Sequence, residues 1–232
     1  MSTTFTNESL LSLLQISDSF FPLGGYSLSF GLETLSQLGA LKKKDNITSL
    51  LSVFIEQLST LDCPATRSAY QAAENSDLKL IVSIDRKLAS FKNVKEFYES
   101  SKRSGRSLIR TVRTFMRSKL LNEYSDLVES KNAPGTYPVS LGLVCHELGI
   151  NEERTVFLMM YTLMISILGA AVRLGHITHV EVQGIIHSSK EALEDAAAKS
   201  STISWNHART FSPALDIMGM QHVYLQAKMF AC

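Results

Sequence analysis

The chain has 232 residues, of which 12 are glycine, 5 are proline and 45% are hydrophobic, which excludes collagen-like, proline-rich, Gly/Ser-linker and largely disordered architectures. With 23 basic against 22 acidic residues the formal net charge is +1, whereas a global binder of nucleic acid or of an anionic membrane leans strongly basic. Neither is expected as a partner, and any charged partner must be met by a local patch.

The N-terminal MSTTFTNESL lacks a basic stretch followed by an apolar run, so no signal peptide is expected. Asn7 is placed to cap a short helix carrying Leu10, Leu11, Leu13 and Leu14. The next stretch, SDSFFPLGGYS, breaks the periodicity at Pro22, Gly24 and Gly25, and it is apolar at Phe20, Phe21, Leu23 and Tyr26. An apolar Gly/Pro loop is unlike a generic solvated connection. A helix from Ser27 ends near Gly39, a C-terminal glycine. Asp45 is placed to cap a helix with Leu50, Leu51, Phe54, Ile55 and Leu58 on one stripe, and Asp62 before Pro64 reads as the next cap. From Asp77, the residues Leu80, Ile81, Ile84 and Leu88 form another 3.6-residue stripe.

A longer amphipathic region is expected from Asn93 to about Leu121, with Lys102, Arg103, Arg106, Arg110, Arg113 and Arg117 on its polar face. Such a face is ordinarily solvated; docking of an acidic partner is its functional alternative. No aromatic residues interleave with the basic ones, which speaks against nucleic acid. The stretch NAPGTYP marks a loop, after which Val139–Leu148 reads as a helix ending at Gly149. Asn151 then opens a helix with Glu152 and Glu153 at its favourable end. That helix contains Val156–Val172, 17 residues without a charge. A helix of that length spans about 25 Å, at the short edge of a membrane span. It also holds Thr162, Ser166 and Gly169 and is the only such run, so a buried central helix is expected. Thr178 with Glu181 forms a capping box for a helix continuing to about Lys199, and Ser212-Pro213 starts a last helix toward Phe230. Period-two alternation bounded by hairpin turns is missing. The expected fold is all-α: a single-domain irregular bundle of roughly eight to ten helices over residues 1–232, with residues 204–232 staying flexible until bound to a partner.

Chemistry-bearing motifs are scarce. The sequence holds no GxSxG elbow, phosphate loop, Rossmann fingerprint or HExxH. Cys63, Cys145 and Cys232 are odd in number and widely spaced, which fits a reducing, cytoplasmic compartment rather than a disulfide framework. His176 and His179 straddle a helix start, and no three or four metal ligands are local. Ordinary surface or core histidines are therefore expected, with a metal site as the alternative.

Three separated blocks carry a resemblance: LLQISDSFFPLGGYSLSFGLETL from Leu13, YPVSLGLVCHELGI from Tyr137 and SPALDIMGMQHVYLQAKMF from Ser212. In order and spacing they resemble the urease accessory protein UreF family. Pro22, Gly24, Tyr26, Ser27, Ser29, Gly31, Leu32 and Glu33 carry the first. Weaker similarity, in LDCPATRSAYQAA and EFYESSKRSGRSLIR, extends it over nearly the whole chain. The chain departs from the family after Arg173, where His176-Ile-Thr-His179 replaces a Pro-Leu-Gly-Gln stretch that in the family contacts the partner GTPase. Val223 and Lys228 also stand where the family often has Glu and Arg.

The resemblance implies an all-α homodimer that is not an enzyme. It implies a bridge between UreD (UreH in some organisms) and the nickel GTPase UreG, which delivers nickel to the urease apoprotein. No stably bound cofactor is implied, and nickel transits the assembly. Glu33, Arg173, His179 and Gln183 are expected on the GTPase side, Arg173 as a salt-bridge partner or, alternatively, an arginine finger. Met218, Met220, His222, Tyr224, Leu225, Met229 and Phe230 are expected on a C-terminal helix facing UreD, with packing on the chain's own core as the alternative. Pro22, Gly24, Tyr26, Ser27 and Gly31 form the family loop. The competing functions are a stand-alone GTPase-activating protein for UreG and an unrelated all-α interaction module.

Overall fold

In a computed structural model the described residues are 6–24, 28–41 and 44–231. Gly25, Tyr26, Ser27 and Cys232 lie outside what is described, as does the side chain of Asp45, so the cap expected there is not described either. Twelve α-helices and one 3-10 turn, with no strand, make up the regular structure of the described residues: α1 Asn7–Ser17, α2 Leu32–Gln37, α3 Lys44–Thr60, α4 Asp62–Glu74, α5 Leu78–Phe91, α6 Lys95–Val112, α7 Lys119–Glu129, α8 Tyr137–Glu147, α9 Glu152–Arg173, α10 His179–Ser188, α11 Lys190–Thr202, the 3-10 turn Trp205–His207, and α12 Pro213–His222. The chain is all-α.

The helix starts follow side-chain caps. Asp77, Asn151 and Thr178 accept backbone N–H bonds from Leu80, Arg154 and Glu181, as their spacing predicts. Three starts differ. Thr6, not Asn7, caps α1, in a capping box with Ser9. Leu61 precedes α4, and Asp62 lies in its first turn, where it pairs with Lys92 at 2.8 Å. The amphipathic region from Asn93 is two helices, because Ser118 accepts from the Leu121 N–H and starts α7 afresh. The helix from Thr178 is likewise broken at Ser189.

The core forms around α8. Residues Tyr137 to Cys145 of this helix are all buried, which its apolar sequence on every face requires. It packs against α4, α6 and α9. The approach to α4 is close because Gly142 has no side chain: a Cβ there would lie 2.3 Å from the Thr66 carbonyl oxygen. Ala65, Ala69, Ala72 and Ala73 keep the facing side of α4 thin. On α5, Ile81, Ile84 and Leu88 are buried as the stripe predicts, while Leu80 is exposed. Next to Ile84 stands the buried Asp85, which accepts from Gly135 N (2.7 Å), Thr136 N (3.0 Å), Thr136 Oγ1 (2.6 Å) and Tyr124 Oη (2.8 Å). One carboxylate thus ties the NAPGTYP loop and α7 to α5.

Helix α9 is the only helix among the described residues long and apolar enough to cross a bilayer, and just over half of its most apolar window is buried inside the bundle. Met159, Met160, Met164, Ile167 and Leu168 face the core, joining one cluster of buried side chains that runs from Ile16 to Phe230.

Candidate partner-docking site

Helix α2 is only six residues long and positions the first functional side chain. Gly31 precedes it with φ +84°, a left-handed conformation that favours glycine, and turns the chain so that Glu33 points inward. Glu33 is 3% exposed. Its carboxylate accepts the N–H groups of Met229 (2.6 Å) and Phe230 (3.2 Å) and stands 2.9 Å from Nε2 of His222. The other ring nitrogen of His222, Nδ1, is 2.7 Å from Oε2 of Glu96 on α6. The fully buried ring thus has a carboxylate oxygen within hydrogen-bond distance of each nitrogen.

Around this centre residues 213–231 are fastened. Thr34 Oγ1 donates to the Met218 carbonyl (3.1 Å) and Gln37 Nε2 to the Ala227 carbonyl (2.9 Å). Lys228 Nζ donates to the Val223 carbonyl (3.0 Å) and lies 4.0 Å from Glu96. The guanidinium of Arg173, at the end of α9, sits 4.4 Å over the ring of Phe230, and its Nε donates to the Gly169 carbonyl. His176 Nε2 is 2.7 Å from Ser36 Oγ, tying the chain after α9 to α2.

Of the residues expected from the sequence, Glu33, Arg173, His222 and Phe230 come together in this one cluster. The GTPase-side charges and the tail residues therefore meet, and Glu33, His222 and Phe230 are buried rather than presented outward. His179 and Gln183 stay apart, both exposed on α10 and one turn from each other. The last helix does not run to Phe230. It ends at His222, because the Met229 and Phe230 N–H groups are claimed by the Glu33 carboxylate and the chain folds back to bury Phe230. Met218 and Leu225 are half-buried, while Met220, Tyr224 and Met229 are exposed. Pro22 and Gly24 are exposed and Gly31 is buried; Tyr26 and Ser27 lie outside the described residues. No group of three His, Cys, Asp or Glu side chains arranged to hold a metal occurs among the described residues. Sequence inspection missed Glu96 and Thr34. Glu96 was legible only as a first-turn acid of α6, a signal shared with many helices.

Beneath the family loop lies a cavity of about 120 Å³ lined by Leu23, Leu28, Phe30, Phe54, Phe97 and Tyr137, among others.

A family model described as UreF matches residues 41–190. The chain belongs to the UreF family. It is 32% identical over 224 residues to a urease accessory protein UreF of Trichodesmium erythraeum, covering 95% of this chain and 96% of that one. A urease accessory protein UreF 1 of Brucella melitensis is 28% identical over 221 residues, with 95% and 92% covered. A UreF of Lachnoclostridium phytofermentans is 29% identical over 222 residues, with 95% and 97% covered. The family model stops short of both blocks that build the cluster, but the full-length relatives span nearly the whole chain. UreF proteins carry the name of accessory proteins to urease rather than of enzymes, and this chain shares that role.

Proposed function

We propose that this UreF-family chain bridges a UreD-type (UreH-type) protein and the nickel GTPase UreG, so that nickel is delivered to the urease apoprotein in the cytoplasm, with nickel as cargo and not as a resident cofactor. The observation that carries this reading is the tail. Its inner residues, His222 and Phe230, hold it on α2 and α6, while Ile217, Met220, Val223, Tyr224 and Met229 turn apolar or aromatic surface outward. Exposed apolar side chains on one segment suit a protein partner, and UreD is assigned to this side. UreG is assigned to the neighbouring side, where the exposed His179 and Gln183 of α10 follow the Arg173 turn. The cluster joins the two sides through Arg173, Phe230 and Glu33. A homodimer, as the family pattern implies, doubles each surface.

Co-purification with UreD and UreG, followed by activation of apo-urease with nickel, tests the proposal. A stable complex with both proteins and recovery of urease activity are expected. Hydrolysis of GTP by UreG accelerated by this chain alone, without UreD, would instead favour a free-standing GTPase activator. Failure to bind either protein would overturn the bridging reading.

A further inference from the structure

Helix α6 brings together three features. Its first turn carries Glu96, which holds His222 of the tail. Residues seven apart on a helix share a face, so Arg103 and Arg110 continue the Glu96 face about 10 and 21 Å further along. Between them Ser107 donates its hydroxyl to the Pro22 carbonyl, which seats the apolar loop on the same helix. The tail thus covers the first turn of this face and the loop touches its middle. Arg103, Arg106 and Arg110 remain exposed, and none makes an ion pair or side-chain hydrogen bond with a described residue. The basic residues nearest them in sequence are paired: Lys102 with Glu99 and Arg113 with Glu129. Arg110 suits the C-terminal end of its helix, but Arg103 and Arg106 lie in the interior, where no helix-end charge calls for them.

Two residues before Pro22, Phe20 is 93% exposed. The loop's own carboxylate, Asp18, is occupied with the Phe20 N–H at 2.7 Å. An exposed aromatic side chain two residues from the carbonyl that meets Ser107, together with a row of arginines on the helix that carries Ser107, has the composition of an interface: an apolar anchor with a charged rim.

We infer that Arg103, Arg106 and Arg110, with Phe20, form a docking surface for an acidic face of the protein that also engages the C-terminal tail. The partner presents an apolar pocket for the phenyl ring, rimmed by carboxylates that pair with the guanidinium groups. Arginine suits such a rim because its planar fork binds carboxylates bidentately. The inference rests on the tail's partner being the UreD-type protein, as proposed above. The stripe steers association, and Phe20 slows dissociation.

The test measures association and dissociation rates of the full chain with the UreD-type protein of the same organism, at low and at raised salt. Charge steering is screened by salt. The wild-type association rate is expected to fall steeply with salt. The triple variant Arg103→Glu, Arg106→Glu, Arg110→Glu is expected to associate about a hundredfold more slowly at low salt and to lose the salt dependence. The triple Gln variant, which only neutralises the stripe, lies between. Phe20→Ala is expected to speed dissociation about tenfold at unchanged salt dependence. Circular dichroism melting confirms that each variant is folded. Association of both triple variants at the wild-type rate overturns the inference and leaves the UreD assignment intact. Absence of any binding by the wild-type chain overturns the assignment, and the inference with it. Stripe-dependent retention of duplex RNA in place of the protein also overturns it.

Discussion

His222 Nε2 stands 2.9 Å from Glu33 Oε2, across 189 residues of sequence and with both side chains buried. Removing one partner of a buried hydrogen-bonded pair leaves the other unsatisfied, at a cost of about 1–3 kcal/mol. Glu33→Ala removes the acceptor for His222 and for two backbone N–H groups at once, so it is expected to release the tail. Trypsin cleavage after Lys228 reads this release directly. Cleavage is expected to be faster in Glu33→Ala and His222→Ala than in the wild type, with Glu33→Ala the faster of the two. Equal rates in all three would mean that the cluster does not hold the tail.

Arg173 lies over Phe230 at 4.4 Å, so its charge is shared between the tail and the surface beside α10. A cation–π contact at a partly exposed site contributes about 0.5–1 kcal/mol. Arg173→Ala is expected to leave the chain folded, to loosen the tail slightly and to weaken recruitment of UreG in a pull-down. Arg173→Lys keeps the charge but not the planar stack, and is expected to recover only part of the binding. Unchanged UreG recovery with Arg173→Ala would remove Arg173 from that interface.

Asp85 gathers four donors with no exposure to solvent. Replacing it by Ala leaves the Gly135 and Thr136 N–H groups without their acceptor inside the protein. A lost hydrogen bond to a charged group costs about 1.5–3 kcal/mol, so a total loss of at least about 3 kcal/mol is expected for Asp85→Ala in urea unfolding. Asp85→Asn, isosteric but neutral and with one oxygen exchanged for a donor, is expected to cost less. A variant as stable as the wild type would show that the loop is held by other contacts.

Three buried groups give the chain an alkaline limit. Burial raises the Cys145 thiol from 9.0 to about 12, and burial followed by the neighbouring Asp62 charge raises that of Cys63. The Tyr124 phenol is raised by burial and then by Asp85. For each group the folded state binds its proton more tightly than the unfolded state. The associated stability is complete below the unfolded value and is lost as the pH rises through the folded one. Stability in urea is expected to fall above about pH 9 and to keep falling toward pH 12. Since the thiolate is the nucleophile, alkylation of Cys63 and Cys145 at pH 8 is expected to be slow in the folded protein and fast in urea, read by peptide mass spectrometry. Fast labelling of Cys145 in the folded chain would contradict its burial.

Much of the fold was legible locally. Asp77, Asn151 and Thr178 announce their helices because a cap bonds an N–H only two or three residues away. The Ile81, Ile84 and Leu88 stripe is buried because helical period alone sets which side chains share a face. The breaks at Ser118 and Ser189 were missed because the apolar period continues across them, and only a local bond or backbone turn interrupts it. The site was legible as residues but not as an arrangement. Glu33, Arg173, His222 and Phe230 each stood out in a sequence block, while Glu96 did not, since nothing in its own neighbourhood marks it.

The sequence by itself determined the all-α class, most helix positions and membership of the UreF family, because these depend on caps, periodicity and motif order, all properties of neighbouring residues. Only the tertiary structure decided that Glu33 and Glu96 enclose His222, that Arg173 covers Phe230 and that the last helix stops at His222 so that the tail folds back. Those contacts join residues 126 and 189 positions apart. Whether a charge faces water or is enclosed depends on which distant segment packs over it.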